Sequence, residues 1–132
     1  MTDEVQIEIT GPESLARIRH EVVRIAEQIG FQSREIEGLV TAVSEACANA
    51  LIHGRGLSEK APVVTIRSAN ERFEAVIKDW GPGHACSQQI PMPGPGAPGG
   101  RGIPLMQRFV DKVLFRGNCG CEVTLVKYLS TT

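Results

Sequence analysis

The sequence lacks several features that would assign the protein to large functional classes. No apolar run approaches the roughly 20 residues of a membrane-spanning helix, because Glu45 and Asn49 interrupt the longest candidate. No positively charged start precedes an apolar run, so a signal peptide is not expected. The net charge is only −1 and the isoelectric point is near 6.3, which argues against nucleic-acid binding by bulk charge. We therefore expect a cytoplasmic protein that binds neither nucleic acid nor membrane.

The sequence also lacks a paired C-x-x-C spacing. Its four cysteines are Cys47, Cys86, Cys119 and Cys121. The one-residue spacing of the last two is only a weak metal or redox signal, so no zinc site is expected and the thiols are predicted to be reduced. There is no internal repeat, and 132 residues suffice for one core, which predicts a single domain over residues 1–132.

Hydrophobic periodicity predicts the secondary structure. Strict alternation of apolar and polar residues indicates strands, and apolar stripes with a 3.6-residue period indicate helices. The predicted order is a strand at 5–9, a helix from 13 or 14 to 30, a helix from 33 to 53, strands at 63–68 and 73–78, a helix opening at 102–104, and strands at 112–116 and 122–129. Strands outnumber crossover helices, so we predict an α+β fold with a mostly antiparallel sheet and helices on one face.

The polar face of the first helix has two interpretations. It carries several charged side chains, namely Arg17, Arg19, His20, Glu21, Arg24 and Glu27. Such a face is either simply solvated or part of a surface that docks a partner. The sequence leaves both interpretations open.

The composition changes between residues 84 and 102, where prolines alternate with glycines. Regular structure cannot persist in such a segment. A linker between two domains is one interpretation, but the roughly 30 residues that follow are too few for a second core. We therefore interpret residues 84–102 as a flexible lid within one domain, since long irregular loops in compact domains are often functional.

Three polar side chains stand out on the second helix. Glu45, Asn49 and His53 recur every four residues in an otherwise apolar run. At about 100° per residue, each step drifts only about 40°, so all three lie on one face of the helix. The opposite face keeps Val43 and Cys47 for a core.

Two glycine-rich turns follow later in the chain. Asp79 ends a predicted strand and is followed by Gly81 and Gly83, which would let a ligand approach the backbone closely. A carboxylate at this position can accept a hydrogen bond from the exocyclic amine of a base, or can simply be a turn aspartate. Gly100 and Gly102 open a helix, whose free N–H groups and dipole favour a phosphate.

Taken in order, these motifs resemble those of the GHKL superfamily, which comprises gyrase, heat-shock chaperone, histidine kinase and MutL ATPases. The run E-x-x-x-N-A-x-x-H matches its N box, D-x-G-x-G its first glycine box and G-x-G-I-x-L its second. The matching residues are Glu45, Asn49, Ala50 and His53, then Asp79, Gly81 and Gly83, then Gly100, Gly102, Ile103 and Leu105. The resemblance covers nearly the whole chain and implies the two-layer Bergerat ATP-binding fold. A P-loop pattern is absent, so ATP would be held in another way.

Within the superfamily, the chain resembles small bacterial anti-sigma factors that are also serine-protein kinases. The short chain, the short lid and the sequences GGRGIPLMQRFVD and EVTLVKYL carry this resemblance. It implies a kinase that uses ATP and Mg²⁺, phosphorylates a STAS-type anti-anti-sigma partner, binds a sigma factor and forms a homodimer. Two alternatives stay open: a nucleotide-gated binding module without kinase activity, and a switch kinase that acts on a STAS scaffold without binding a sigma factor.

The resemblance also implies roles for individual residues. Glu45 is the expected general base, Asn49 the expected Mg²⁺ ligand and Asp79 the expected acceptor for the adenine amine. His53 is expected to give structural support. The expected ATP-binding residues are Asn49, His53, Asp79, Gly81, Gly83, Gly100, Arg101, Gly102, Ile103 and Thr124.

One position departs from the family pattern. Relatives often carry a threonine just after the glycine of the closing strand, where it reaches toward the adenine. This sequence has Cys121 at that position, and Thr124 lies three residues farther along. Because a thiol is a poor hydrogen-bonding group, one adenine contact is expected to be missing or water-mediated.

Overall fold

Five strands and three helices make up the described part of the chain. The computed structural model describes residues 3–53, 60–80, 102–117 and 120–129. The elements are β1 (Asp3–Glu8), α1 (Pro12–Ile29), α2 (Ser33–His53), β2 (Val63–Ala69), β3 (Arg72–Asp79), α3 (Gly102–Phe109), β4 (Lys112–Gly117) and β5 (Cys121–Tyr128). All the elements predicted from periodicity are present, with small shifts at their ends.

The five strands form one sheet in the order β1-β2-β3-β5-β4, and all four neighbouring pairs are antiparallel. β3 therefore lies at the centre, flanked by β2 and β5. This arrangement confirms the predicted α+β class, with an antiparallel sheet and helices.

The helices cover one face of this sheet, as the alternation of burial along the strands shows. Ile66, Phe73 and Leu125 point to the helix side and are fully buried. They meet the apolar stripes of α1 and α2, of which Ile18 and Leu39 are also fully buried. The sequence pattern produces this core because apolar residues repeat every two positions on the strands and every 3.6 positions on the helices. Each element therefore has one apolar face, and these faces pack together.

The opposite side of the sheet is called the open face below. Residues there pair directly across neighbouring strands. They are Glu4, Gln6 and Glu8 on β1, Val63, Thr65 and Arg67 on β2, Arg72, Glu74, Val76 and Lys78 on β3, Glu122, Thr124, Val126 and Tyr128 on β5, and Lys112, Leu114 and Arg116 on β4. Two large apolar side chains are exposed on it, Leu114 at 56% and Tyr128 at 42%.

An ion-pair cluster joins α1 to the sheet, in addition to the buried apolar stripe of the helix. The helix ends at Gly30, whose φ of 111° is left-handed, a conformation that favours glycine. Arg24 Nη1 lies 2.7 Å from Asp3 Oδ2 on β1, and its Nε donates to Glu21. Part of the polar face of α1 is thus engaged within the protein, whereas Arg17, Arg19 and His20 are exposed.

Candidate functional site

Helix α2 presents the first two candidate site residues. Glu45 and Asn49 are both partly exposed, whereas Val43 and Cys47 on the other side of the helix are fully buried. The helix thus divides as the sequence predicts, with a polar face turned away from the core. His53 is the last residue of α2, and the position of its side chain lies outside the described part of the structure.

Asp79 is a buried carboxylate at the end of the central strand. Its relative exposure is only 8%, and it pairs with Cys121 across β3 and β5. The Cys121 backbone N–H donates to Asp79 Oδ1 at 3.3 Å. A buried carboxylate needs hydrogen-bonding partners, so this bond helps to stabilise the acid in an otherwise apolar layer.

Gly120 brings the start of β5 against the end of β3. A Cβ at this position would lie 2.2 Å from the Asp79 carbonyl oxygen and 3.0 Å from Trp80 Cα. Its φ of 116° also disfavours any side chain. Gly120 is not among the site residues predicted from the sequence. A glycine directly before a strand was the available signal, but its meaning depends on the β3–β5 register.

Helix α3 begins at Gly102, as the second glycine motif predicts, and it packs against α2. Its N-terminus therefore offers the backbone N–H groups and the dipole that suit a phosphate. Ile103 lies in the first turn, and nothing is described of its side chain. Gly81, Gly83, Gly100, Arg101 and the predicted lid up to residue 101 lie outside the described residues.

The structure does not bring Thr124 together with Asp79. Thr124 pairs with Val76 on one side and Leu114 on the other, and all three belong to the open face. Asp79 has the opposite parity on β3, so its side chain points to the helix side. Since side chains alternate along a strand, the register argues against placing Thr124 in the ATP site.

The residue of β5 that pairs with Asp79 is instead Cys121. Cys121 forms a disulfide bond. The prediction that all four thiols are reduced is therefore wrong for this position. Cys47 is a free and buried thiol, and burial raises its pKa from 9.0 to about 12.

The metal that the family resemblance implies is Mg²⁺, which binds oxygen ligands. Residues 3–53, 60–80, 102–117 and 120–129 contain no group of three His, Cys, Asp or Glu side chains that could hold a metal. Mg²⁺ usually takes one or two protein oxygens together with substrate phosphates and waters. The side-chain carbonyl oxygen of Asn49 is of the chemical type that Mg²⁺ prefers, and it lies on the helix against which α3 packs.

None of the helices in the described ranges is long and apolar enough to span a membrane.

Known proteins are similar to the chain over most of its length. Residues 10–127 match the family described as the histidine kinase-like ATPase domain. The chain is 31% identical to the serine-protein kinase RsbW of Bacillus velezensis, covering 97% of this chain and 87% of that protein. It is 33% identical to the Bacillus subtilis protein of the same name, covering 90% of this chain and 81% of that one.

Solved structures show the same fold. The RsbU and RsbW domains of a Mycobacterium tuberculosis protein align with a TM-score of 0.70 at 18% identity, covering the whole of this chain and 33% of that one. The histidine kinase domain of a blue-light activated kinase from Erythrobacter litoralis aligns with a TM-score of 0.56 at 21% identity, covering 89% of this chain and 60% of that one. The family match over residues 10–127, the RsbW relatives and the shared fold show that the chain belongs to the histidine kinase-like ATPase domain family.

Proposed function

We propose that this protein is an ATP-dependent protein-serine/threonine kinase and anti-sigma factor of a partner-switching circuit. Its substrate is a hydroxyl of a STAS-type anti-anti-sigma protein, and its second partner is a sigma factor. One observation carries the proposal. Glu45 and Asn49 lie on one accessible face of α2, in a chain 31–33% identical over most of its length to proteins named serine-protein kinase RsbW.

ATP, when bound, supplies the phosphoryl group. The protein has to bind and orient the nucleotide and to deprotonate the attacking hydroxyl. Asp79 would accept a hydrogen bond from the adenine amine at the end of β3. The N-terminus of α3 at Gly102 would bind phosphate through backbone N–H groups, together with Gly100 and Arg101. Gly81 and Gly83 would shape the adenine pocket, and His53 would support the end of α2.

The two side chains of α2 would act on either side of the transferred group. Glu45 would accept the proton of the attacking serine or threonine hydroxyl, which makes that oxygen a better nucleophile. Asn49 would bind Mg²⁺ through its carbonyl oxygen, in agreement with the preference of this cation for oxygen ligands. Four residues apart on a helix, the two groups lie one turn from each other.

A phosphotransfer assay with a cognate STAS domain tests the proposal. The wild-type protein with Mg²⁺-ATP is expected to phosphorylate that domain on a serine or threonine. Glu45→Gln is expected to abolish transfer and to leave ADP affinity within about threefold, because the amide cannot accept the proton. Glu37→Gln on the exposed side of α2 is the matched control and should transfer normally. Robust transfer by Glu45→Gln would disprove its role as general base.

Asn49 requires a separate measurement, because its proposed ligand is the metal. Asn49→Ala is expected to weaken ATP binding in the presence of Mg²⁺ and to change binding much less when the metal is chelated. Calorimetric titration of ATP under both conditions measures this difference. Equal losses with and without Mg²⁺ would exclude Asn49 as a metal ligand.

Capture of partners from the native cell distinguishes the remaining alternatives. Recovery of a sigma factor together with a phosphorylated STAS protein is the expected result. A phosphorylated STAS scaffold without a sigma factor would support the switch-kinase alternative. A stable complex with no phosphate transfer, despite ADP binding, would support a nucleotide-gated binding module.

The open face supports the proposed homodimer. Its β1 edge carries Glu4 and Glu8, and its β4 edge carries Lys112 and Arg116. Two copies packed face to face about a two-fold axis parallel to the strands would place each acidic edge against a basic edge. The exposed side chain of Leu114 would be buried in the same contact.

The oligomeric state in solution tests this contact. The wild-type protein is expected to have the mass of a dimer by light scattering, and Leu114→Glu is expected to give a folded monomer. Glu13→Leu on exposed α1 is a control that should leave the dimer intact. A monomeric wild-type protein, or a dimer that survives Leu114→Glu, would overturn the proposed interface.

A further inference from the structure

A glycine in the interior of α2 makes an unusually close contact with α3. A Cβ at Gly38 would lie 2.7 Å from Cδ1, 3.1 Å from Cγ and 3.2 Å from Cβ of Phe109. Gly38 itself is buried, and Phe109 is the last residue of α3. Glycine is unfavourable inside a helix, so its presence here is explained by the approach of the Phe109 ring.

Gly38 lies on the same face of α2 as the proposed catalytic residues. Seven residues separate it from Glu45 and eleven from Asn49. At 100° per residue these spacings correspond to about −20° and +20° around the helix. The Phe109 ring therefore packs on the stripe of α2 that carries Glu45 and Asn49, about two turns before Glu45.

The dimensions of the two helices connect this contact to the phosphate end of α3. The seven steps from Phe109 back to Gly102 rise about 10 Å, as do the seven steps from Gly38 to Glu45. A helix this short moves as a rigid rod, so a displacement at Phe109 also displaces the N-terminus at Gly102. Small displacements matter, because a misplacement of about 1 Å can reduce a reaction rate about 100-fold.

From these relationships we infer that Gly38 is a positioning residue. Because Gly38 has no Cβ, the Phe109 ring can pack close to α2. This contact sets the distance between α3 and α2 at which the phosphate-binding N-terminus of α3 is aligned with Glu45 and Asn49. The inference rests on the proposed kinase function and assigns to it a residue outside the three sequence motifs.

Three variants in the full chain test the inference, with ADP affinity, transfer rate at saturating Mg²⁺-ATP and melting temperature as readouts. Gly38→Ala is expected to lower both ADP affinity and transfer rate by about tenfold or more. Phe109→Ala in the same chain is expected to restore both to within about threefold of wild type, because it removes Cδ1 and Cγ, the two ring atoms nearest to the new methyl group. Gly11→Ala is the matched control, since a Cβ there meets nothing within 4 Å.

The double variant distinguishes a role of Gly38 in positioning α3 from a general effect of the substitution on folding. Wild-type rate and affinity in Gly38→Ala would overturn the inference, and so would a double variant no better than Gly38→Ala. If Gly38→Ala does not fold, Phe109→Ala is compared with the double variant. A faster double variant then supports the inference, and an equal or slower one overturns it.

ADP binding keeps this test independent of the proposed function. If the wild-type protein phosphorylates no STAS domain, the kinase proposal fails. The loss of ADP affinity in Gly38→Ala and its recovery in the double variant would still show that Gly38 positions α3.

Discussion

The Cys121 amide donates to Oδ1 of Asp79 at 3.3 Å and thereby joins the first residue of β5 to the last residue of β3. The carboxylate is buried at the end of the central strand, on the face of the sheet that the helices cover. Its position therefore depends on the pairing of two strands that are more than 40 residues apart in sequence. This buried position at the end of β3 is the basis for proposing Asp79 as the adenine contact.

Replacement of Asp79 is the first prediction. In Asp79→Asn, the side-chain oxygen can still accept from the Cys121 amide, but the charge that favours the adenine amine is lost. ADP affinity is expected to fall about 10- to 100-fold, as for the loss of a charged hydrogen bond, while the melting temperature changes little. Asp111→Asn is the matched control, because Asp111 Oδ2 accepts from the Tyr128 amide at 2.7 Å, at the opposite end of β5 from Cys121. Unchanged ADP affinity in Asp79→Asn would contradict the adenine assignment.

Replacement of Thr124 is the second prediction. Thr124 pairs with Val76 and Leu114 on the open face, so its hydroxyl cannot share a pocket with Asp79. Thr124→Val is expected to leave ATP affinity within about twofold, because no hydrogen bond to the nucleotide is removed. Calorimetric titration measures the effect, and a loss of tenfold or more would restore Thr124 to the ATP site.

Gly120 supports the third prediction, which concerns stability. Gly120→Ala would place a methyl group 2.2 Å from the Asp79 carbonyl oxygen at a residue with φ 116°. Backbone cannot move aside as a flexible side chain can, so the free energy of unfolding is expected to fall by about 2 kcal/mol or more. Urea unfolding measures the change, and ADP affinity should fall with it, since the end of β3 must shift.

Gly11→Ala is the control for this substitution. The backbone at Gly11 is extended, with φ 162°, and a Cβ there meets nothing within 4 Å. A loss under about 1 kcal/mol is expected, as for a change of helix N-cap residue. Equal losses at Gly11 and Gly120 would show that the close approach to Asp79 has no special importance.

The fourth prediction concerns Cys47 and alkaline pH. Burial raises the pKa of its thiol from 9.0 to about 12. Below pH 9 the thiol is protonated in both the folded and the unfolded state. Between pH 9 and 12 the unfolded state loses the proton first, so the Cys47 contribution to stability falls as pH rises, by about 1.4 kcal/mol per pH unit.

Comparison with Cys47→Ala isolates this contribution, because other groups titrate in the same range. The variant is expected to be less stable near neutral pH and to lose stability less steeply above pH 9. Native Cys47 should also resist a thiol reagent at pH 8 until the chain unfolds. Parallel stability curves above pH 9 for the two proteins would contradict the raised pKa.

Local patterns predicted much of the fold. The stripe that contains Ile18 and Val22 predicted α1, and Gly30 predicted its end, because helical periodicity and a left-handed cap are properties of neighbouring residues. The strand of Phe73 and Ile77 was predicted in the same way from alternation. The antiparallel class followed from the ratio of strands to helices.

The sequence predicted some features of the candidate site and could not predict others. Glu45 and Asn49 share a helix, so their spacing alone places them on one face. Thr124 was assigned from the family resemblance, as the threonine three residues after Cys121, which occupies the family's usual threonine position. Only the register of β5 with β3 and β4 shows which face Thr124 occupies. Periodicity says which residues of a strand share a face, but it does not say which neighbour each residue meets.

By itself, the sequence determined the elements, the polar face of α2 and the motifs that mark a nucleotide site. These features depend on residues a few positions apart, and helical or strand geometry relates such residues directly. The tertiary structure alone decided that Asp79 pairs with Cys121, that Gly120 touches the β3 backbone and that Gly38 receives the Phe109 ring. Each of these is a contact between segments that are distant in sequence. The sequence shows where a glycine lies, but only the packing of the folded chain shows which neighbour approaches the space that a Cβ would occupy.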